Sequence, residues 1–327
     1  MIKVGFLGAG NIAHTLAETF LFLKDKYELY GVASKDIKRS EDFKNKYGFK
    51  KAYKDYEEML NDKNIDLVYI STTIAEHYKH IKMSLEHNKN VLCEKAFCAS
   101  YYEAKEVVTL ARKKNLFLAE AIWTRYMPSR GIITSLILSG AIGDPYYIEA
   151  NLGYRIFDKE RIYSPILGGG ALLDVGVYPL NFIDMFVVDK IKEINVMSKL
   201  HPTGVDETIS GNITFNSGIL AHFFTTINDA TSREGFIYGK DGYLKIININ
   251  NPEKVEIYKK KEDSNYPILV STINFKEDFN GYEYQLVETY NSLINNKKEN
   301  PSMTLDDTLK MMKLYEDILV KSKVKRK

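Results

Sequence analysis

The 327-residue chain has only 2 cysteines, 1 tryptophan and 8 prolines, and its charge is nearly balanced, 45 Lys and Arg against 43 Asp and Glu for a net charge of +2. Two cysteines cannot supply the disulfide framework of a small secreted fold, and Cys93 and Cys98 have no second Cys/His pair to complete a zinc site. They read as reduced, partly buried thiols, and the chain as cytoplasmic. Near-zero charge provides no global field for nucleic acid or for an anionic membrane. The basic tail 321–327 reads as a solvated terminus. The apolar start 2–7 is too short for a signal segment, and no stretch is seen to approach the roughly 18 apolar residues of a membrane span. Partners are therefore expected to include neither nucleic acid nor membrane. What remains is an ordinary globular composition, and at about 150 residues per domain the length suggests two domains.

From residue 1 to about 120, short apolar runs alternate with amphipathic ones. Strands are expected at 2–7, 29–33, 66–71, 90–94 and 116–120, and helices at 11–24, 37–47 and 76–87. A further helix opens at Ser100, where Glu103 completes a capping box. Alternating β and α elements with apolar strands imply a doubly wound parallel sheet. After Trp123 the rhythm changes. A helix at 129–138 and the segment 168–187 precede strand-like runs at 191–197, 208–215, 219–227, 236–238, 243–247 and 255–258, with helices at 282–294 and 305–320. This half reads as an α+β domain on a large, mostly antiparallel open sheet. The division expected is 1–122 and 123–327, with no linker between the halves and hence a shared interface.

Gly8-Ala9-Gly10-Asn11-Ile12-Ala13 stands where the first strand meets the first helix, the place of a Rossmann dinucleotide fingerprint. Gly8 permits the tight turn, Gly10 lets a pyrophosphate approach the backbone, and Ala13 replaces the third glycine. The amides around Asn11 and Ile12 then face the phosphates. An NAD enzyme usually carries a carboxylate about 20 residues further on. Here that place is Ala33-Ser34-Lys35, with Arg39 one turn beyond. A hydroxyl and two cations suit a 2′-phosphate, pointing to NADP through Ser34, Lys35 and Arg39. NAD stays open because Asp36 is adjacent, and the cations also describe an ordinary solvated helix start.

Gly168-Gly169-Gly170 precedes Asp174 and Tyr178, which are four residues apart and so share a helix face. The glycines let a backbone or a ligand approach closely at the helix start, and a carboxylate beside a phenol can move a proton. The same pattern also describes a Gly-rich turn ahead of a core helix.

Taken in order, the fingerprint, Thr72-Thr73 with His77, Glu94-Lys95, the Gly-rich Asp174 helix and the late turn Lys240-Asp241-Gly242 resemble the Gfo/Idh/MocA oxidoreductases. The run from Ala119 to Pro128 and the tyrosine at 178 resemble the dimeric dihydrodiol dehydrogenase and NADP-dependent sugar dehydrogenase subgroup. The resemblance implies hydride transfer between a nicotinamide and a carbinol or carbonyl carbon of a cyclic sugar, polyol or dihydrodiol. It implies Lys95 on the reacting oxygen, Asp174 in support and Tyr178 as the proton carrier. Thr72, His77, Glu94, Lys95, Trp123 and Arg125 would face the cofactor. His77 reads equally as helix-face polarity, and Trp123 and Arg125 as packing at the domain junction. A sensor protein on the same fold, or a redox-assisted lyase or glycosidase, are the alternatives.

Two positions depart from the family pattern. Ile74 replaces a proline or small polar residue, and Ala96 stands where proline commonly follows the lysine. A non-proline cis bond costs about 2.5–4 kcal/mol, so a different presentation of Lys95 is expected. The run Ile219-Leu220-Ala221-His222-Phe223-Phe224 puts large side chains on both faces of a strand, which suggests a homodimer, or a higher homo-oligomer, through the outer face of the second sheet.

Overall fold

The computed structural model describes residues 1–262 and 264–324, so residues 325–327 of the basic tail lie outside the described residues. The chain divides into two compact units, Met1–Tyr126 with Asp278–Lys313, and Met127–Glu277 with Leu314–Lys327.

The first unit runs β1 (Ile2–Leu7), α1 (Asn11–Phe22), β2 (Tyr27–Ala33), α2 (Ile37–Tyr47), β3 (Lys51–Tyr53), α3 (Tyr56–Asn61), β4 (Leu67–Ile70), α4 (Ile74–Glu86), β5 (Asn90–Glu94), α5 (Tyr101–Lys114) and β6 (Leu118–Ala121). All pairings are parallel, in the order β3-β2-β1-β4-β5-β6. The order reverses between β1 and β4, which is where such sheets bind ligand, outside the carboxyl ends of the strands. Local chemistry sets several boundaries. Asp36 caps α2 by accepting from Lys38 N at 3.0 Å, and Gly48 stops that helix at φ +75°. Ser100 and Glu103 form the expected capping box of α5.

The sequence division placed everything after residue 122 in the second half, whereas 278–313 packs into the first unit. The reason is an apolar stripe on the helix Glu283–Ile294. Leu286 is fully buried in the core formed by Phe6, Leu16, Phe20 and Tyr69, with Tyr282, Tyr290 and Leu293 packed against it. Tyr27 Oη donates to the Leu286 carbonyl at 2.7 Å.

The second unit contains α6 (Pro128–Leu138), β7 (Pro145–Gly153), α7 (Glu160–Tyr163) and α8 (Val177–Phe186). They are followed by β8 (Ile191–Leu200), β9 (Asp206–Phe215), β10 (Leu220–Thr226), β11 (Glu234–Gly239), β12 (Gly242–Ile247), β13 (Lys254–Lys261) and β14 (Ser264–Asn274). The chain then continues into α9 (Glu283–Ile294) and α10 (Leu305–Lys321). The eight strands form one sheet in the order β14-β13-β12-β11-β7-β10-β9-β8, with β7 and β10 parallel and the other neighbours antiparallel. On β10, Ala221, Phe223 and Thr225 are buried on the face covered by α8, while Leu220, His222 and Phe224 lie on the other. That second face carries a half-exposed row of stacked or tilted rings, Phe236, Tyr147, Tyr238, Tyr243 and Tyr258, with centroids 4.5–6.2 Å apart.

The segment Pro165–Phe186 is long and apolar enough to cross a membrane by length and composition, which corrects the expectation that no stretch approaches that length; its most apolar window is 83% buried inside the protein, as in a core helix. Both cysteines are also fully rather than partly buried, Cys93 on β5 and Cys98 in the loop after it.

Candidate active site

In the first unit, the turn after β1 is shaped for a diphosphate. Gly8 sits at φ +109°, and a Cβ there would lie 3.1 Å from Ser71 Oγ and 3.2 Å from the Ser71 backbone. Only glycine suits this turn, where the chain passes against the end of β4. Gly10 is the N-cap of α1 and provides no side-chain cap, and the first turn holds no acidic residue. A Cβ at Gly10 would meet only the Ser71 carbonyl, at 3.8 Å. The helix therefore presents its first amides, from Asn11 and Ile12 onward, next to open space, as a pyrophosphate requires. Ala13 is fully buried, as expected of the residue in the third glycine's place. These residues fit a dinucleotide.

The end of β2 holds a mixed set. Arg39 Nε and Nη2 both donate to the Ala9 carbonyl, at 3.0 and 2.7 Å, so this guanidinium braces the glycine turn with two of its five donors. Lys35 is exposed. Ser34 is buried, and its hydroxyl donates to the Asp36 carbonyl at 2.6 Å. Ser34 thus closes the turn into α2, and its single proton is directed inward.

The loops after β4 and β5 are tied together by His77. Its Nδ1 lies 2.9 Å from the Ala96 carbonyl and its Nε2 3.1 Å from the Thr72 carbonyl. Burial pushes the imidazole pKa down, while the two carbonyls act in the opposite sense. The neutral ring carries one N–H and donates to one of these carbonyls, so His77 acts here as a buried brace between the loops. Thr72 Oγ1 is 2.9 Å from His80 Nδ1 on the same helix, α4.

Lys95 is partly exposed at the end of β5, and the Lys95–Ala96 peptide bond is cis. The cis bond itself differs from what a non-proline residue favours; the buried Ala96 has its carbonyl 2.9 Å from His77 Nδ1. Before the lysine, Glu94 accepts from Tyr69 Oη at 2.6 Å, and burial pushes its carboxyl up to about 7. Glu120, on the neighbouring β6, is pushed by burial to the same value. The short 3₁₀ turn Trp123–Tyr126 follows β6. Within it Trp123 stacks on Tyr282, 4.2 Å between centroids and 11° between planes, and Arg125 is buried.

In the second unit, Asp174 lies in a π turn, Leu172–Gly176, that runs into α8 where Tyr178 is buried. The sequence placed both on one regular helix; the widened i→i+5 turn carries Asp174 and the α-helix carries Tyr178. Gly170 sits at φ +118°, and a Cβ would fall 2.2 Å from Asp206 Oδ1. The close approach expected at these glycines is thus made at Gly170 by the protein's own carboxylate. Asp206, fully buried at the start of β9, accepts from Leu172 N at 2.6 Å and holds the head of the π turn. Arg161 on α7 forms a forked pair with Asp174, Nη1 to Oδ1 at 2.9 Å and Nη2 to Oδ2 at 3.4 Å. Neither Arg161 nor Asp206 was apparent from the sequence, because each meets its partner across a separation that carries no local pattern.

Comparison with known proteins agrees with both halves. Residues 2–121 match the family model described as oxidoreductase family, NAD-binding Rossmann fold, and residues 133–245 match the GFO/IDH/MocA C-terminal domain. The trans-1,2-dihydrobenzene-1,2-diol dehydrogenase of Xenopus laevis is 32% identical over 320 residues, covering 97% of each chain, and that of Homo sapiens is 28% identical over 97% of this chain and 96% of its own. Among solved structures, a levoglucosan dehydrogenase in complex with NADH and levoglucosan aligns with a TM-score of 0.87 at 14% identity, over 98% of this chain and 96% of that one. A 3-ketoreductase from Actinomadura kijaniata in complex with NADP aligns with a TM-score of 0.85 at 20% identity, over 98% and 97%.

Proposed function

The chain belongs to the Gfo/Idh/MocA family of NAD(P)-binding oxidoreductases, and on that premise we propose that it is a cytoplasmic, NADP-dependent dehydrogenase acting on a CH–OH group of a cyclic sugar, polyol or dihydrodiol. The observation that carries this reading is the end-to-end kinship with dihydrodiol dehydrogenases, which leaves neither half of the chain without a counterpart. When bound, the nicotinamide supplies the hydride acceptor or donor.

The residues of this chain divide the remaining work. Gly8, Gly10, Asn11 and Ile12 hold the diphosphate on the amides of α1. Lys35 and Arg39 favour the 2′-phosphate of NADP, since the end of β2 offers cations where an NAD enzyme places a carboxylate. Thr72, His77 and Glu94 shape the strand ends on the cofactor side, and Trp123 and Arg125 complete that wall. Lys95 binds the reacting oxygen. Tyr178 takes the hydroxyl proton as the hydride leaves carbon, or returns it in the reductive direction, and Asp174 supports that transfer. The half-exposed aromatic row on the second sheet is the surface through which two copies associate.

A screen of cyclic sugars, polyols and dihydrodiols by nicotinamide absorbance, run with NADP⁺ and NAD⁺, tests the reading. Turnover with a preference for NADP⁺ is expected. Cofactor binding without turnover on any of these compounds would mark a sensor protein. Substrate conversion without net cofactor change would mark a lyase or glycosidase.

A further inference from the structure

We propose that Arg161 is a positioning residue for Asp174, fixing the direction and the charge of that carboxylate at the head of α8. The inference rests on the reading that Asp174 serves proton transfer. Two anchors act on Asp174 from different parts of the second unit. Asp206 holds the backbone, by accepting from Leu172 N at 2.6 Å. Arg161 holds the side chain, with its two terminal nitrogens on the two carboxylate oxygens at 2.9 and 3.4 Å. The paired contact sets the plane of the carboxylate, which a single hydrogen bond would leave free to turn.

Arg161 is itself well placed to do this. It lies on the four-residue helix α7, whose Ile162 is fully buried and whose Ile162 carbonyl accepts from Gly170 N at 2.7 Å. The guanidinium is therefore carried on a backbone pinned to the same glycine turn that starts the Asp174 segment. Side-chain exposure is unequal, 45% for Arg161 and 12% for Asp174. An ion pair with one end this open contributes little to stability, so stability does not explain the arrangement. A guanidinium has donors only and stays protonated throughout the working range, so it cannot carry the proton. Its remaining effect is on the carboxylate beside it, which an adjacent cation keeps ionised.

The test uses Arg161→Ala, Arg161→Lys, Asp174→Asn and the Arg161→Ala/Asp174→Asn pair in the full chain, each first shown to be folded by circular dichroism. In ligand-free protein, carbon NMR of the Asp174 carboxyl should show its titration moving up by about one pH unit or more in Arg161→Ala, with Arg161→Lys close to wild type. With a substrate from the screen, turnover in Arg161→Ala should fall about 10- to 100-fold while the cofactor KM is unchanged. In the Asp174→Asn background, Arg161→Ala should cost less than about twofold further. An unmoved Asp174 titration, or an impaired Asp174→Asn alongside an unaffected Arg161→Ala, overturns this inference and leaves the proton-transfer reading intact. Full activity in Asp174→Asn overturns that reading, and this inference with it.

Discussion

Replacing Glu120 by glutamine should raise stability at neutral pH and remove part of its dependence on pH. Glu120 sits on β6 paired with Cys93, is 2% exposed, and its Oε2 has no hydrogen-bond partner among the described residues. Burial raises its carboxyl from 4.5 to about 7, outweighing first the neighbouring Thr308 hydroxyl and then the positive charge of Arg125, both of which act to lower it. Below the unfolded value both states are protonated, and nothing separates them. Between 4.5 and about 7 the unfolded chain ionises while the native side chain holds its proton, so stability declines as pH rises. Above about 7 the native state bears the whole cost, which at 1.36 kcal/mol per pH unit is about 3 kcal/mol. Glutamine keeps the shape and is neutral throughout. Glu94 is raised to the same value, so the slope should fall by about half rather than vanish. Urea unfolding read by the fluorescence of Trp123, the single tryptophan and a member of the same unit, provides the assay. The variant should match wild type near pH 4, below the unfolded value, and exceed it by about 2–3 kcal/mol near pH 8. An unchanged slope, or a variant less stable near pH 8, would refute the argument that Glu120 is ionised at a cost.

Three further outcomes follow from the geometry. Lys35→Ala should weaken NADPH binding by about tenfold or more while leaving NADH nearly unchanged, since only NADPH carries the extra phosphate; equal losses in a fluorescence titration, or tighter wild-type binding of NADH, would reject the NADP assignment. Gly170→Ala combines φ +118° with a Cβ 2.2 Å from Asp206 Oδ1 and should cost about 2–3 kcal/mol in chemical denaturation, whereas an unchanged midpoint would show that the turn yields easily. Sedimentation at micromolar concentration should give a dimer that Phe236→Glu dissociates, and wild-type monomer alone would contradict the role given to the outer sheet face.

Much of the first sheet was legible because its signals are local. Ile2–Leu7, Ile37–Tyr47 and Asn90–Glu94 have the bounds that their apolar period and stop residues imply, and the Ser100–Glu103 capping box needs only four residues to be recognised. β3 and α3 escaped notice because three and six residues hold too little pattern. β14 is exposed on both faces along most of its length, so it shows no alternation to read. The placement of 278–313 could not be read either, since a helix stripe declares that it is buried without declaring against what. The same limit applies to the site. The glycine turn was readable because its chemistry is set by adjacent residues. The inward turn of Ser34, the use of Arg39 on the Ala9 carbonyl, the brace at His77 and the grip of Arg161 on Asp174 are contacts that only the fold creates.

Turnover of Tyr178→Phe tests the central claim most directly. The substitution removes one hydroxyl from a buried ring on α8, so the fold and the affinity for cofactor should survive, as circular dichroism and a nicotinamide fluorescence titration would show. On a substrate found by the screen, turnover should fall by about 10²–10⁴-fold, the share that general acid–base catalysis usually contributes. Near-normal turnover in a folded, cofactor-bound Tyr178→Phe protein would contradict the account and move the proton carrier to another group.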